Sequence, residues 1–374
     1  SLIPLLLLAA CGTGGEAAQG EAEAAADGRP FQVAPIATFD EPWAMAFLPG
    51  PGPRALITEK KGRLKLLWSD TGRVGEVKGA PQVDYGGQGG LGDVVLHPDF
   101  ARNRLVYLSW VEAGEGGNRG AVVGRARFLE GSAGPRLEGL QIVYRQSPKL
   151  SGRGHYGHRI AFGPDGKLYV SNGERQEFTP AQDMNANLGK VVRLNDDGTV
   201  PADNPFAKRG GVAAQIWSLG HRNPLGLAFD GSGRLWDIEM GPKGGDELNL
   251  VERGRNYGYP IVSNGDHYDG KDIPDHPTRP EFAAPKVWWT PVISPGDMIF
   301  YSGSAFPRWR GDILVAGLSS KALIRVDVEG ASAREAERWD MGKRIREVEQ
   351  GPGGSVYLLE DGEGGRLLKL TPAK

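Results

Sequence analysis

The stretch IAFGPDGKLYVSNGE, residues 160–174, reads as a short apolar strand, a Pro-Asp-Gly turn and a second apolar strand. The same design recurs as MAFLPGPGPRALIT (45–58), VVLHPDFARNRLVYLSW (94–110), LAFDGSGRLWDIE (227–239), MIFYSGSAFPRWRGDILVAG (298–317) and VEQGPGGSVYLLED (348–361). Six such hairpins, spaced at about fifty to seventy residues, are the mark of four-stranded sheets arrayed around an axis. Residues 31–374 supply 344 residues, about 57 per repeat, enough for four strands and their loops. Two β-sandwiches would need a break in composition or a linker near the middle, and none is present. The expected class is all-β, a six-bladed β-propeller over residues 31–374.

Composition agrees. Gly 57 and Pro 27 suit a chain rich in turns. Lys+Arg 44 against Asp+Glu 46 leaves a net charge of -2, so no basic field exists to draw in nucleic acid. The single cysteine, Cys11, allows neither a disulfide framework nor a cysteine-based zinc site within one chain. Residues 1–11, SLIPLLLLAAC, are apolar but too short to span a bilayer, and look like a signal segment. Leu8-Ala9-Ala10-Cys11 resembles the lipobox of bacterial lipoproteins, in which the cysteine carries the lipid. Residues 12–30 begin as an Ala/Gly/Glu-rich run and read as a flexible tether. The expectation is an exported, periplasmic or outer-membrane-anchored protein held through Cys11.

A propeller gathers loops from distant blades at one end of its axis, so polar residues flanking corresponding strands are the candidates for a site. Residues 215–260 are the densest such region. Arg222 and Asn223 precede the strand 225–229, and Gly241, Pro242, Asp246 and Glu247 follow the strand 234–238. Proline donates no hydrogen bond, so the Gly241 and Pro242 carbonyls suit a hard cation such as Ca2+. Asp246 and Glu247 add negative potential or pin Arg222. Gln88 stands alone in the glycine run 86–92, where a ligand could approach the backbone. His155 and His158 stand three apart before the third repeat. A metal pair there lacks a third ligand of suitable spacing, and a general base is the better reading. Glu174 ends the same hairpin and offers a carboxylate to orient such a base. Arg344 and Arg346, two apart in a strand, face the same side and suit a polyanionic ligand.

Taken together, the segments 86–100, 154–174, 219–230, 239–249, 288–301 and 344–361 resemble the soluble pyrroloquinoline quinone (PQQ)-dependent sugar dehydrogenases, of the glucose/sorbosone and aldose type. The resemblance covers nearly all of residues 36–372. It implies a base in His155, supported by Glu174, and a substrate contact in Gln88. It further implies PQQ contacts from Arg222, Asn223, Arg344, Arg346 and Lys321, and a catalytic Ca2+ on the Gly241 and Pro242 carbonyls. Asp246, Trp288 and Trp289 are expected at the substrate pocket. The implied activity is oxidation of an aldose at C1 to the lactone, with electrons passed to an external acceptor (a quinone, a dye or a cytochrome-like partner).

Three positions depart from the family pattern. Glu174 stands where an aspartate is usual, Met240 replaces a glutamine, and the lysine position falls on either Lys321 or Ser319. The absence of long inserted loops fits the aldose type better than a strict glucose enzyme. The competing readings are a calcium-dependent lactonase-type hydrolase, which needs side-chain carboxylates on its metal, and a non-catalytic sugar- or protein-binding propeller.

Overall fold

The structure is a computed structural model and describes residues 28–373. Residues 1–27, with the expected signal segment, Cys11 and most of the tether, lie outside the described residues.

Each quoted hairpin forms the two inner strands of a four-stranded antiparallel sheet, and there are six such sheets. The innermost strands are Pro42–Leu48, Leu91–Leu96, Gly157–Phe162, Pro224–Phe229, Pro295–Phe300 and Ile345–Gln350, in blades 1 to 6 respectively. Each packs against the next, and the last packs against the first, so the ring is closed. The expected six-bladed propeller is the fold observed.

The last blade is completed by the start of the chain. Phe31–Asp40 pairs antiparallel with Glu363–Pro372, so one sheet holds both ends of the described chain. Phe31 is buried there, its ring edge-on to Trp309 and Trp339 at 6.1 and 5.3 Å. Alternating apolar residues of neighbouring blades, such as Leu56, Leu108 and Val122 between blades 1 and 2, bury the sheet faces.

All six innermost strands carry a bulge near their first residue. A bulge breaks the strict alternation of a strand and re-aims the side chains at that point. Here it turns Trp43, His158, Leu225 and Arg346 toward the axis, where they line a common cavity.

Below them lies Arg159, buried at 3% exposure. Its guanidinium lies 3.4 Å from Asp93 of blade 2 and 2.7 Å from Glu347 of blade 6. It donates to Leu225 O of blade 4 and Gly296 O of blade 5, each at 2.7 Å, and Asp297 lies 3.6 Å away. It also stacks 4.0 Å over the Trp43 ring of blade 1. One side chain of blade 3 therefore touches every other blade. Burial opposes its charge, but Asp297, Glu347 and Asp93 outweigh that and raise its pKa. The same burial pushes Asp297 up to about 6 and raises Glu347 well above its ordinary value.

Removing one partner of a buried ion cluster leaves the others uncompensated. Arg159→Met is expected to lower the unfolding free energy by about 3–5 kcal/mol in urea titration. Val74→Ala, on the outer strand of blade 1 and 39% exposed, should shift it by about 0.5 kcal/mol or less.

Candidate active site

Loops at one mouth of the ring, those that enter the innermost strands together with those that follow the second strands and the long connection 252–286 of blade 4, enclose two adjoining cavities. One lies off the axis, about 300 Å3, lined by His155, Glu174, Phe178, Arg222, Pro242 and Tyr259 among others. The other lies on the axis, about 260 Å3, and includes Trp43, Lys60, Gln88, Met240, Arg344 and Arg346. A third cavity, about 380 Å3, opens at the far mouth beneath Arg159.

His155 adopts a left-handed backbone, φ 47°, in the turn that enters blade 3. Gln88 holds that turn by accepting the His155 N–H on Oε1 at 2.8 Å. His155 Nδ1 makes a short hydrogen bond to Glu174 Oε1, and Glu174 Oε2 accepts the Phe178 N–H at 2.7 Å. Glu174 is thus oriented at both oxygens, and His155 Nε2 is left to the cavity that the ring lines. Burial lowers the His155 pKa, with Arg222 reinforcing it and Glu174 opposing it. Burial also raises the Glu174 carboxyl, but His155, the Phe178 N–H and Arg222 outweigh this and leave it below its ordinary value. With His155 neutral, the hydrogen bonds and Arg222 are what keep Glu174 ionised.

Arg222 and Asn223 share one support, Glu239, whose Oε2 accepts both backbone N–H groups. Glu239 in turn meets the buried His221, whose Nδ1 lies 3.1 Å from Glu239 and 3.0 Å from Asp237. Burial works against the imidazolium, but the two carboxylates raise its pKa to about 10. Among the described residues this trio is the one His/Asp/Glu cluster compact enough for a metal. Its positive centre is the ring itself, so it reads as an ion-pair network beneath Arg222 and Asn223.

The Gly241-Pro242 turn is built on Asp246. That carboxylate accepts the N–H groups of Gly241, Ile293 and Ser294 at 2.8, 2.8 and 2.7 Å. A Cβ on residue 241 would stand 2.2 Å from Gly245 O, so only glycine fits. The Gly241 carbonyl accepts Arg222 Nη1 at 2.6 Å and the Met240 carbonyl accepts it at 2.9 Å. Met240 sulfur also lies 3.8 Å from Asn223 Nδ2, a weak replacement for an amide. Arg222 Nε and Tyr259 Oη are buried without a hydrogen bond of normal geometry.

At the axis, Arg344 and Arg346 converge on Asp361, donating at 2.9 and 3.0 Å. Their convergence matches the sequence reading, and Asp361 is the partner that reading missed.

Several expectations need correction. Trp288 and Trp289 wall neither cavity. They lie on the outermost strand of blade 4, Val287–Trp289, where Trp288 is 54% exposed and Trp289 is buried, its Nε1 bonded to Glu335 of blade 5. Asp246 supports the turn from beneath instead of facing a substrate. Lys321 is exposed and lines neither cavity at this mouth, whereas Lys60, from blade 1, lines the axial one. His158, three residues on from His155, stacks on Trp43 at 5.0 Å and bonds Ser109 at 2.7 Å. Burial and Arg159 push it down to about 3. The glycines around Gln88 serve close packing, since a Cβ on Gly87 would stand 2.5 Å from Arg153 O. Glu239 had a signal, because Asp237 and Glu239 stand two apart on one strand face. Lys60, Tyr259 and Phe178 had none, for each reaches the site only through tertiary packing.

Residues 39–369 match the family model described as Glucose / Sorbosone dehydrogenase. The chain belongs to the glucose/sorbosone dehydrogenase family. It is 40% identical over 341 residues to the aldose sugar dehydrogenase YliI of Escherichia coli, covering 89% of this chain and 91% of that protein. The apo structure of the soluble aldose sugar dehydrogenase from Escherichia coli superposes with a TM-score of 0.84 at 39% identity, over 91% of this chain and 99% of that one. A PQQ-bound aldose sugar dehydrogenase from Streptomyces coelicolor superposes with a TM-score of 0.74 at 30% identity, over 91% and 97%.

The electrostatics are open to a direct check. Imidazole NMR titration should place the His155 pKa below 6.5. Glu174→Ala should lower it further, because the group that favours the imidazolium is lost.

Proposed function

We propose that the protein is a PQQ- and Ca2+-dependent aldose dehydrogenase that oxidises C1 to the lactone and passes the electrons to an external acceptor. The family is one of sugar-oxidising oxidoreductases, and a relative binds PQQ in the same fold. The observation that carries the reading is the pairing of a carboxylate-held histidine with an arginine in one cavity, beside a second cavity bearing further cations.

The residues fit the proposed cofactor. An acidic o-quinone with three carboxylates needs donors, and Arg222, Arg344 and Arg346 present guanidinium groups to the two cavities. The buried Arg222 Nε and Tyr259 Oη, at the same place, make no hydrogen bond of normal geometry. The Gly241 carbonyl already serves a cation, Arg222, and with the Pro242 carbonyl is the oxygen set that would hold Ca2+. When bound, PQQ supplies the two-electron acceptor and Ca2+ a Lewis acid.

The chain's own part is to position the sugar and move a proton. His155 Nε2 takes the proton of the anomeric hydroxyl, while Nδ1–H donates to Glu174, which fixes the tautomer. Because burial keeps the ring neutral, it is a competent base at neutral pH. Gln88 sets the backbone of His155. Phe178, Tyr259 and Tyr268 give the cavity aromatic walls that suit the apolar face of a sugar ring. For its location we propose export with a lipid on Cys11, a reading that rests on the sequence of residues 1–27 alone.

The test is reconstitution of the full chain with PQQ and Ca2+, followed by dye reduction with a panel of aldoses. Aldose-dependent reduction that requires both additions is expected. Lactone hydrolysis without PQQ, or sugar binding without turnover, would replace the proposal with a hydrolase or a binding module. His155→Ala should cut kcat by about 10²–10⁴-fold while PQQ remains bound.

A further inference from the structure

Lys60 is the cation at the axial cavity that the family pattern did not point to. It directly follows the second strand of blade 1, Arg54–Glu59, and its side chain is 15% exposed. Nζ donates to Gly87 O at 3.1 Å, lies 3.9 Å from Glu41 and faces the Tyr85 ring at 5.8 Å. It lines the same cavity as Arg344 and Arg346.

The charges there do not cancel. Asp361 is shared by the two arginines, and Glu41 is shared with Lys61 at 3.8 Å and the Tyr85 hydroxyl. Lys60, Arg344 and Arg346 therefore line the cavity against two carboxylates, leaving surplus positive charge. The lysine is also held in place. Leu91 N–H donates to Lys60 O at 2.9 Å, and a Cβ on Gly90 would stand 2.2 Å from that oxygen. The glycine loop that presents Gln88 thus grips Lys60 at its backbone and at Nζ.

We propose that Lys60 binds a carboxylate of the anionic cofactor in the axial cavity, and so fills the lysine role that the family resemblance left between Lys321 and Ser319. The inference rests on the PQQ reading above. Burial lowers the Lys60 ammonium, with Arg346 adding to it and Glu41 opposing it. An anion seated among these groups relieves that repulsion.

The experiment is equilibrium binding of PQQ to the full chain with Ca2+, followed by cofactor absorbance at low and high salt. Lys60→Met is expected to weaken binding about tenfold or more and to flatten the salt dependence. Lys60→Arg should restore most of the affinity, and Lys321→Met should bind as the unaltered chain does. Thermal unfolding of each apo-protein confirms that the variants are folded, with Lys60→Gln as the substitute should Lys60→Met unfold. Wild-type affinity and salt slope in the folded Lys60 variants, or a loss that follows Lys321→Met instead, would overturn the assignment. Failure of the unaltered chain to bind PQQ would be a separate result, removing the cofactor reading and Lys60's role with it.

Discussion

Everything at the site depends on a buried guanidinium at the propeller axis. Arg159 reaches carboxylates or carbonyls in blades 2, 4, 5 and 6 and the Trp43 ring in blade 1. Much of the contact between neighbouring blades is through apolar faces, which are non-directional and tolerate sliding. A charged fork with fixed donors does not tolerate it. By fixing the relative height and rotation of the innermost strands, Arg159 sets where their entry loops meet, and those loops carry His155, Arg222 and Arg344.

The same logic repeats at smaller scale. The groups expected to meet a ligand rest on carboxylates, some beneath the cavities and two, Glu174 and Asp361, at their walls. Glu174 holds His155, Glu239 holds the backbone of Arg222 and Asn223, Asp246 holds the Gly241-Pro242 turn, and Asp361 holds the two axial arginines. Such supports keep the geometry ready before a ligand arrives, so less ordering has to accompany binding. They also set the electrostatics: His155 stays neutral because its desolvation exceeds what Glu174 returns, while His221, between two carboxylates, stays charged.

Much of the site was legible because its residues sit at recurring places in the repeat. Gln88, His155, Arg222 and Arg344 all precede an innermost strand, and Glu174 and Gly241 follow a second strand. What failed did so for identifiable reasons. Trp288 and Trp289 read as pocket walls because aromatic pairs near a site invite that reading, yet the blade's outermost strand carries them to the rim. Lys321 follows the expected order, but a left-handed backbone, φ 52°, leaves its side chain exposed. Lys60 offered no signal, since a lysine in a Lys-Lys-Gly turn is ordinarily a solvated charge.

By itself the sequence determined the number of blades, the hairpin at the heart of each and the chemistry available at one mouth. Those depend on local periodicity, turn residues and side-chain type, all of which are short-range. Only the tertiary structure decided which cations share a cavity, which carboxylates support them and which ring nitrogen of His155 faces inward. These depend on bulges that turn side chains toward the axis and on contacts between blades far apart in the chain. No local pattern encodes them, because the partner that fixes each group lies in another repeat.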